Sequence, residues 1–245
     1  MSWKLVWSDE FDYNGLPDES KWDYQVGVDG WGNQELQYYK KACPENVSVH
    51  DGALHITARK EPCGENPYTS TRLISRADWT YGRFEIRAKL PSGRETWPAI
   101  WMMPRNLGYG EWPDCGEIDI MEHVGYHQNF IHASIHTGAF NHPNNTQKTA
   151  ILEKDGVSEA FHTYALEWAP HRLRFLLDDV CYLEYIPEEH CAQVTAAEWP
   201  FDEPFYLILN IAVGGGWGGA EGVDDSIFPQ EMQVEYVRGY RSESD

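Results

Sequence analysis

Glu117-Ile118-Asp119-Ile120-Met121-Glu122 sets three carboxylates inside a six-residue run that is otherwise apolar and strand-forming. A half-buried strand alternates faces with period two, so Glu117 and Asp119 share a face and Glu122 has the wrong parity. One extra residue at Ile120-Met121, a β-bulge, would return Glu122 to the side of the other two, and bulges gather beside active sites. With the bulge, the two Glu positions stand about four strand steps apart, roughly 13 Å at ~3.3 Å per residue. Two Glu side chains leaning together can close that gap to about 5–5.5 Å. At that separation one carboxylate can attack an anomeric carbon while the other protonates the leaving oxygen. Asp119, one methylene shorter, stands between them. The competing reading is a solvent-facing acidic edge strand. Edges, however, are usually blunted by Lys or Pro, not by three like charges among Ile and Met.

Outward from this run the chain reads as strand and turn. Strands are expected over 53–58, 82–90, 130–136, 163–168, 173–177, 206–213 and 233–240. Asp51-Gly52, Pro91-Ser92-Gly93, Asp155-Gly156 and Asp178-Asp179 supply turn chemistry between them. Helix is scarce, with room for a short one in 187–197. Many short strands without a βαβ rhythm indicate an all-β sandwich or barrel. In Phe130-Ile131-His132-Ala133-Ser134-Ile135-His136, alternation puts His132, Ser134 and His136 on one face. Paired as a hairpin with the acidic run, that polar stripe would lie beside the carboxylates. Solvent-facing imidazoles are the plainer alternative; a metal cluster of Glu117, Asp119, His132 and His136 is another.

At 245 residues the chain is expected to form one domain, residues 1–245, since all-β sandwiches commonly reach this length undivided. No linker, low-complexity tract or internal repeat interrupts it, and no apolar run approaches the ~18 residues of a membrane span. The first residues, Met1-Ser2-Trp3-Lys4, lack the apolar core of a signal peptide. The expectation is therefore an intracellular chain or a mature domain without its leader. With 39 acidic against 19 basic residues, the net charge of −20 argues against nucleic acid or an anionic membrane surface as partner. It mildly disfavours any polyanionic partner, whereas a neutral polymer meets no repulsion. Of the five cysteines, Cys43 and Cys63 could bridge, and Cys115 reads as a packed side chain because no activating base stands near it.

Eleven Trp and fourteen Tyr are many for this length. Most aromatics serve core burial, but sugar rings present apolar C–H faces that stack on exposed ones. Trp31, Trp101, Trp112 and Trp217, in or near Gly/Pro-rich stretches, are the candidates for stacking.

The stretch Gly116 to Glu122 resembles the signature of glycoside hydrolase family 16, especially its laminarinase-like members. Trp7-Ser8-Asp9-Glu10-Phe11, Tyr81-Gly82-Arg83-Phe84-Glu85, Trp97-Pro98-Ala99-Ile100-Trp101-Met102, Leu209-Asn210-Ile211-Ala212-Val213-Gly214-Gly215 and Val234-Glu235-Tyr236-Val237-Arg238 resemble further family motifs. They occur in family order, so the resemblance spans nearly the whole chain. It implies a β-jelly-roll sandwich of two curved antiparallel sheets with a concave substrate cleft. It also implies retaining endo-hydrolysis of β-1,3-glucan, with Glu117 as nucleophile, Glu122 as acid and then base, and Asp119 orienting Glu117.

By the same resemblance, His136 lies near the carboxylates, and Asn33 and Arg72 hydrogen-bond sugar hydroxyls on the glycone side. No catalytic cofactor is expected. A structural Ca²⁺ held by Glu10, the Gly52 carbonyl and Glu235 is implied, although Glu235 stands where the family commonly has Asp. The polymer substrate implies a secreted, periplasmic or cell-surface protein, expected as a monomer. The alternatives are a mixed-linkage β-1,3-1,4-glucanase, a galactanase or transglycosylase, and a non-catalytic β-glucan-binding protein of the same fold.

Overall fold

The structure, a computed structural model, describes residues 2–243. Its strands, in chain order, are β1 (Trp3–Asp9), β2 (Trp22–Gln25), β3 (Gln37–Tyr39), β4 (Val47–His50), β5 (Ala53–Ala58), β6 (Tyr68–Ser70), β7 (Arg72–Ser75), β8 (Gly82–Lys89) and β9 (Thr96–Pro104). There follow β10 (Glu117–Glu122), β11 (Phe130–His136), β12 (Lys148–Glu153), β13 (His162–Ala169), β14 (Arg172–Leu177), β15 (Val180–Tyr185), β16 (Phe205–Val213) and β17 (Gln230–Ser242). One antiparallel sheet runs β12-β11-β10-β9-β16-β7-β2 and carries the acidic strand. The other runs β15-β14-β13-β8-β17-β5-β4, with β1 also paired to β17. β3 and β6 form a small parallel pair.

Period-two patterning makes this a two-layer β-jelly-roll sandwich. Ile118 of β10, Ile131, Ala133 and Ile135 of β11, and Ile100 and Met102 of β9 join Phe84, Ile86, Leu166, Trp168 and Phe175 of the other sheet in one buried cluster. Each large side chain there contributes about 1.5–3 kcal/mol by leaving water. The alternate residues of the first sheet are then free to build a polar, aromatic outer face.

The seven expected strands all form: β5 and β11 with the expected bounds, β8 one residue shorter, β13, β14 and β16 one or two residues longer, and β17 five residues longer. The short strands β2, β3, β4, β6 and β7 span three or four residues each, too few for alternation to register. Helix in 187–197 shrinks to a 3₁₀ turn, Pro187–Glu189. A short helix, Gly215–Gly218, occurs where none was expected, because glycines carry little helical signal. No helix among the described residues is long and apolar enough to cross a membrane.

Candidate active site

The bulge forms at Ile120-Met121. β10 pairs with β11 through Glu117–His136, Ile118–Ile135 and Asp119–Ser134, then resumes at Glu122–His132, one residue out of step. Toward β9, Asp119 pairs with Trp101, but Met121 and Glu122 pair with Ile100 and Ala99. Ile120 and Met121 both stay in the core, 1% and 0% exposed. The extra residue is thus absorbed on the apolar side, and Glu117, Asp119 and Glu122 line one cleft of about 430 Å³. Gly116 delivers the chain into β10 at φ +84°, where an added Cβ would stand 2.7 Å from Pro200 Cγ.

Strand registers align His132, Glu122, Ala99, Asn210, Arg72 and Gln25 in one row across the sheet. Ala99, the smallest side chain in that row, lines the cleft between Glu122 and Asn210. Trp97 and Trp101, two residues to either side on β9, share its face and line the same cleft.

Burial governs the charge state of the cluster. Loss of water pushes Glu117 up to about 8, and the neighbouring Asp119 charge adds to the shift. Burial and then the Glu117 charge push Glu122 up to about 7, while the Trp97 indole, donating to Glu122 Oε1 at 3.0 Å, works against them. Asp119 is held well above the usual carboxylate range by burial and by Glu122. Three desolvated carboxyls cannot all ionise at neutral pH, so the group retains protons and titrates as a set.

On the β11 side, His136 Nε2 lies 3.3 Å from Asp119 Oδ2, and the ring packs against Trp112 and His142. His136 is buried beside Glu117 and does not line the cleft, whereas Trp112 and His142 do. Trp217 also stands off the wall, edge-on to Trp97 and His132. His132 is half-buried against that indole, and burial holds its imidazole down to about 4.

Toward β7, Arg72 lies over both Trp31 and Trp101, 4.5 Å from each ring centroid, and its Nε donates to Gln25 Oε1 at 2.6 Å. One face of each indole therefore packs on a guanidinium. Asn33 lines the cleft, and its Nδ2 donates to Glu35 Oε1 at 3.3 Å. Glu35, Trp97, Ala99, Met103, His142, Asn210 and Ala212 are cleft residues that the sequence reading passed over. Trp97, Ala99 and Met103 were accessible to it, since they alternate with Trp101 on one strand.

Among the described residues, one group has the spacing to hold a cation: Glu117, Asp119 and His136, with ligand atoms within 4.8 Å of one another. His132 is outside it. The residues of the expected Ca²⁺ site are otherwise engaged. Glu10 is paired with Arg238, whose Nε and Nη2 donate at 3.0 and 2.7 Å, and Glu235 Oε2 accepts from Arg87 Nε at 2.5 Å. Gly52 sits in the β4–β5 turn. Carboxylates already neutralised by guanidinium groups do not fit a divalent cation as they stand. All five cysteines are free thiols, so Cys43 and Cys63 are not bridged. Cys115 is buried, and its thiol is pushed up to about 11 by burial and by Glu117, which leaves it unreactive.

Residues 34–238 match the family described as glycosyl hydrolases family 16. The chain is 56% identical over 245 residues to a beta-glucanase of Rhodothermus marinus, covering 98% of this chain and 85% of that protein. It is 39% identical over 258 residues to a glucan endo-1,3-beta-glucosidase of Cryptopygus antarcticus, covering 97% and 92%. The solved laminarinase of Rhodothermus marinus superposes with a TM-score of 0.95 at 54% identity over 98% of both chains.

Proposed function

Because the chain belongs to glycosyl hydrolase family 16, we propose that its cleft hydrolyses internal β-1,3-glucosidic bonds of laminarin-type glucan with retention at the anomeric carbon. The observation that carries this reading is the bulge, which puts Glu117 and Glu122 on one face with Asp119 between them. Ionised Glu117 attacks the anomeric carbon while Glu122 passes its proton to the glycosidic oxygen. The bond to the leaving chain breaks, and a glycosyl ester forms on Glu117. Glu122, now ionised, takes a proton from a water whose oxygen displaces Glu117, and both carboxyls return to their starting states. Asp119 shares a proton with Glu117 and so controls when the nucleophile is charged.

Arg72, Asn33, Trp31 and Trp101 stand toward β7, on the glycone side. Trp112 and His142 stand toward β11, on the leaving-group side. The reading is of a single domain that acts as a monomer outside the cytoplasm or at the cell surface, where the polymer is met. A structural Ca²⁺ would have to compete with Arg238 for Glu10 and with Arg87 for Glu235, and no part of the chemistry depends on it.

A panel of laminarin, curdlan, lichenan, agarose and carrageenan with product sizing tests the proposal. Oligosaccharides released from laminarin and curdlan support it. Release from lichenan alone would favour the mixed-linkage alternative, release from agarose or carrageenan a galactanase. Binding without any release would indicate a recognition protein.

A further inference from the structure

Glu35 is 9% exposed and lies under the rim of the cleft among uncharged partners. Its Oε1 accepts from Asn33 Nδ2 at 3.3 Å, and its Oε2 accepts from Gln37 Nε2 at 2.6 Å and from the Tyr39 hydroxyl at 3.4 Å. The Tyr39 oxygen in turn accepts from Asn210 Nδ2 at 3.0 Å, and Asn210 Oδ1 accepts from Trp101 Nε1 at 2.7 Å. We propose that Glu35 is a positioning residue of the glycone arm, fixing the Asn33 amide directly and the Trp101 indole through Tyr39 and Asn210. The proposal rests on the reading of Asn33 and Trp101 as sugar-binding groups.

Hydrogen-bond polarity supports it. An ionised carboxylate is an acceptor at both oxygens and can take all three donors at once. With the Tyr39 hydrogen spent on Glu35, the Tyr39 oxygen is left to accept, which orients the Asn210 amide with its nitrogen toward Tyr39. Its oxygen is then the end that meets the Trp101 N–H. The two carboxylate oxygens thereby set the direction of every bond in the chain, up to a tryptophan whose cross-strand neighbour is Asp119. Burial raises this carboxyl, while the Gln37 and Asn33 hydrogen bonds and the Arg72 charge act to keep it ionised. At the other branch, Asn33 Nδ2 is held by Glu35 and by the Trp31 carbonyl at 3.4 Å. Its Oδ1 remains as the acceptor for a sugar hydroxyl.

A purely structural role would be served as well by an uncharged side chain, since a buried carboxylate loses hydration. The backbone here is secured independently: Glu35 bridges to Gly214, and Leu36 N donates to the Val213 carbonyl at 2.9 Å. Glu35→Gln keeps size but puts an NH₂ donor where the chain needs an acceptor.

The experiment measures kcat and KM on laminarin for wild type, E35Q, N33A, the E35Q/N33A double variant and Y39F, with a melting curve for each. E35Q should raise KM about tenfold with kcat within about twofold, through the loss of charge-assisted hydrogen bonds, and its melting curve should show it fully folded at the assay temperature. In the N33A background it should add only about threefold, the share carried by the Trp101 branch, because the Asn33 branch is already removed. Y39F, which cuts only the Trp101 branch, should raise KM about threefold, and it carries the test should E35Q fail to fold. An unchanged KM in E35Q, or in a Y39F standing in for it, overturns the proposal. So does an effect of E35Q that multiplies fully with N33A. Wild type is assayed first: absence of laminarin turnover would overturn the hydrolase reading, and this proposal with it. Turnover with unaltered E35Q kinetics overturns this proposal alone.

Discussion

Asp119 Oδ2 lies 3.3 Å from Nε2 of His136, and His136 is the cross-strand partner of Glu117. The imidazole therefore stands where it can bias the whole acidic set, and its charge lowers both Glu117 and Glu122 against the burial that raises them. Retaining hydrolysis needs Glu117 ionised while Glu122 keeps a proton, a condition the isolated carboxyls would not meet together near neutrality. The shared protons of Asp119 and the proximity of His136 are what make it reachable.

kcat/KM on laminarin should be bell-shaped. The limbs fall near 7 and 8. Because Glu117 at about 8 stands above Glu122 at about 7, the productive form, Glu117 ionised with Glu122 protonated, is the minor one of the two that share a single proton. The two apparent values belong to the set rather than to single residues. Trp97→Phe removes an N–H that favours ionised Glu122. The limb near 7, which Glu122 dominates, should then move up by roughly half a unit to one unit; an unmoved or lowered limb would contradict the role given to that bond.

The same group should destabilise the fold at alkaline pH. Folded-state values near 8 and 7 lie above the roughly 4.3 of an unfolded Glu. Between these limits the folded chain holds protons that the unfolded chain releases. The stability they bring is complete below about pH 4 and is lost as pH rises through 7 to 8. Asp119→Asn removes one like charge. It should melt about 2–4 °C above wild type at pH 8, equivalent to about 1 kcal/mol, with a smaller gap at pH 5 and activity reduced at least about tenfold. A lower melting temperature at pH 8 would mean that Asp119 is held by favourable contacts instead.

Glu117→Ser should retain laminarin-oligosaccharide affinity while losing roughly three or more orders of magnitude in kcat. Azide should restore cleavage of an activated β-glucoside, giving the inverted glycosyl azide, because a small anion can enter the space left by the carboxylate. Near-wild-type turnover without azide would remove Glu117 from the nucleophile's place.

Much of this site was legible from residue order alone. The parity conflict between Asp119 and Glu122 pointed to a bulge at Ile120-Met121, and alternation along 130–136 put His136 on the carboxylate face provided the two strands paired as a hairpin, as they do. What stayed hidden depends on distance in the chain. Glu35 meets Tyr39 locally, but Tyr39 meets Asn210 across 171 positions, and no local period reports such a contact. Trp31 and Trp101 were readable as exposed aromatics, yet the Arg72 guanidinium packed between them was not, because that sandwich joins three separate elements. Strands of three or four residues and a four-residue helix with three glycines are invisible to pattern for a simpler reason: they hold at most two repeats of the strand period or about one helical turn, too few for a period to stand out.

Chelation should leave the melting temperature unchanged, because Arg238 and Arg87 already neutralise Glu10 and Glu235. The check is a melting curve with EDTA and then with excess Ca²⁺. A fall of several degrees on chelation, reversed by Ca²⁺, would show that a cation displaces the arginines and ties the chain's ends together.

The most direct test of the central claim is proton NMR of the reducing ends released in the first minutes of laminarin digestion. Direct attack by Glu117, with Glu122 serving both steps, delivers β-configured reducing ends that mutarotate to α afterwards. The β-anomer signal should therefore rise first, with the α-anomer following at the rate of mutarotation. An α-anomer signal that leads would require a water between the two carboxyls and an inverting reaction, and would contradict the account.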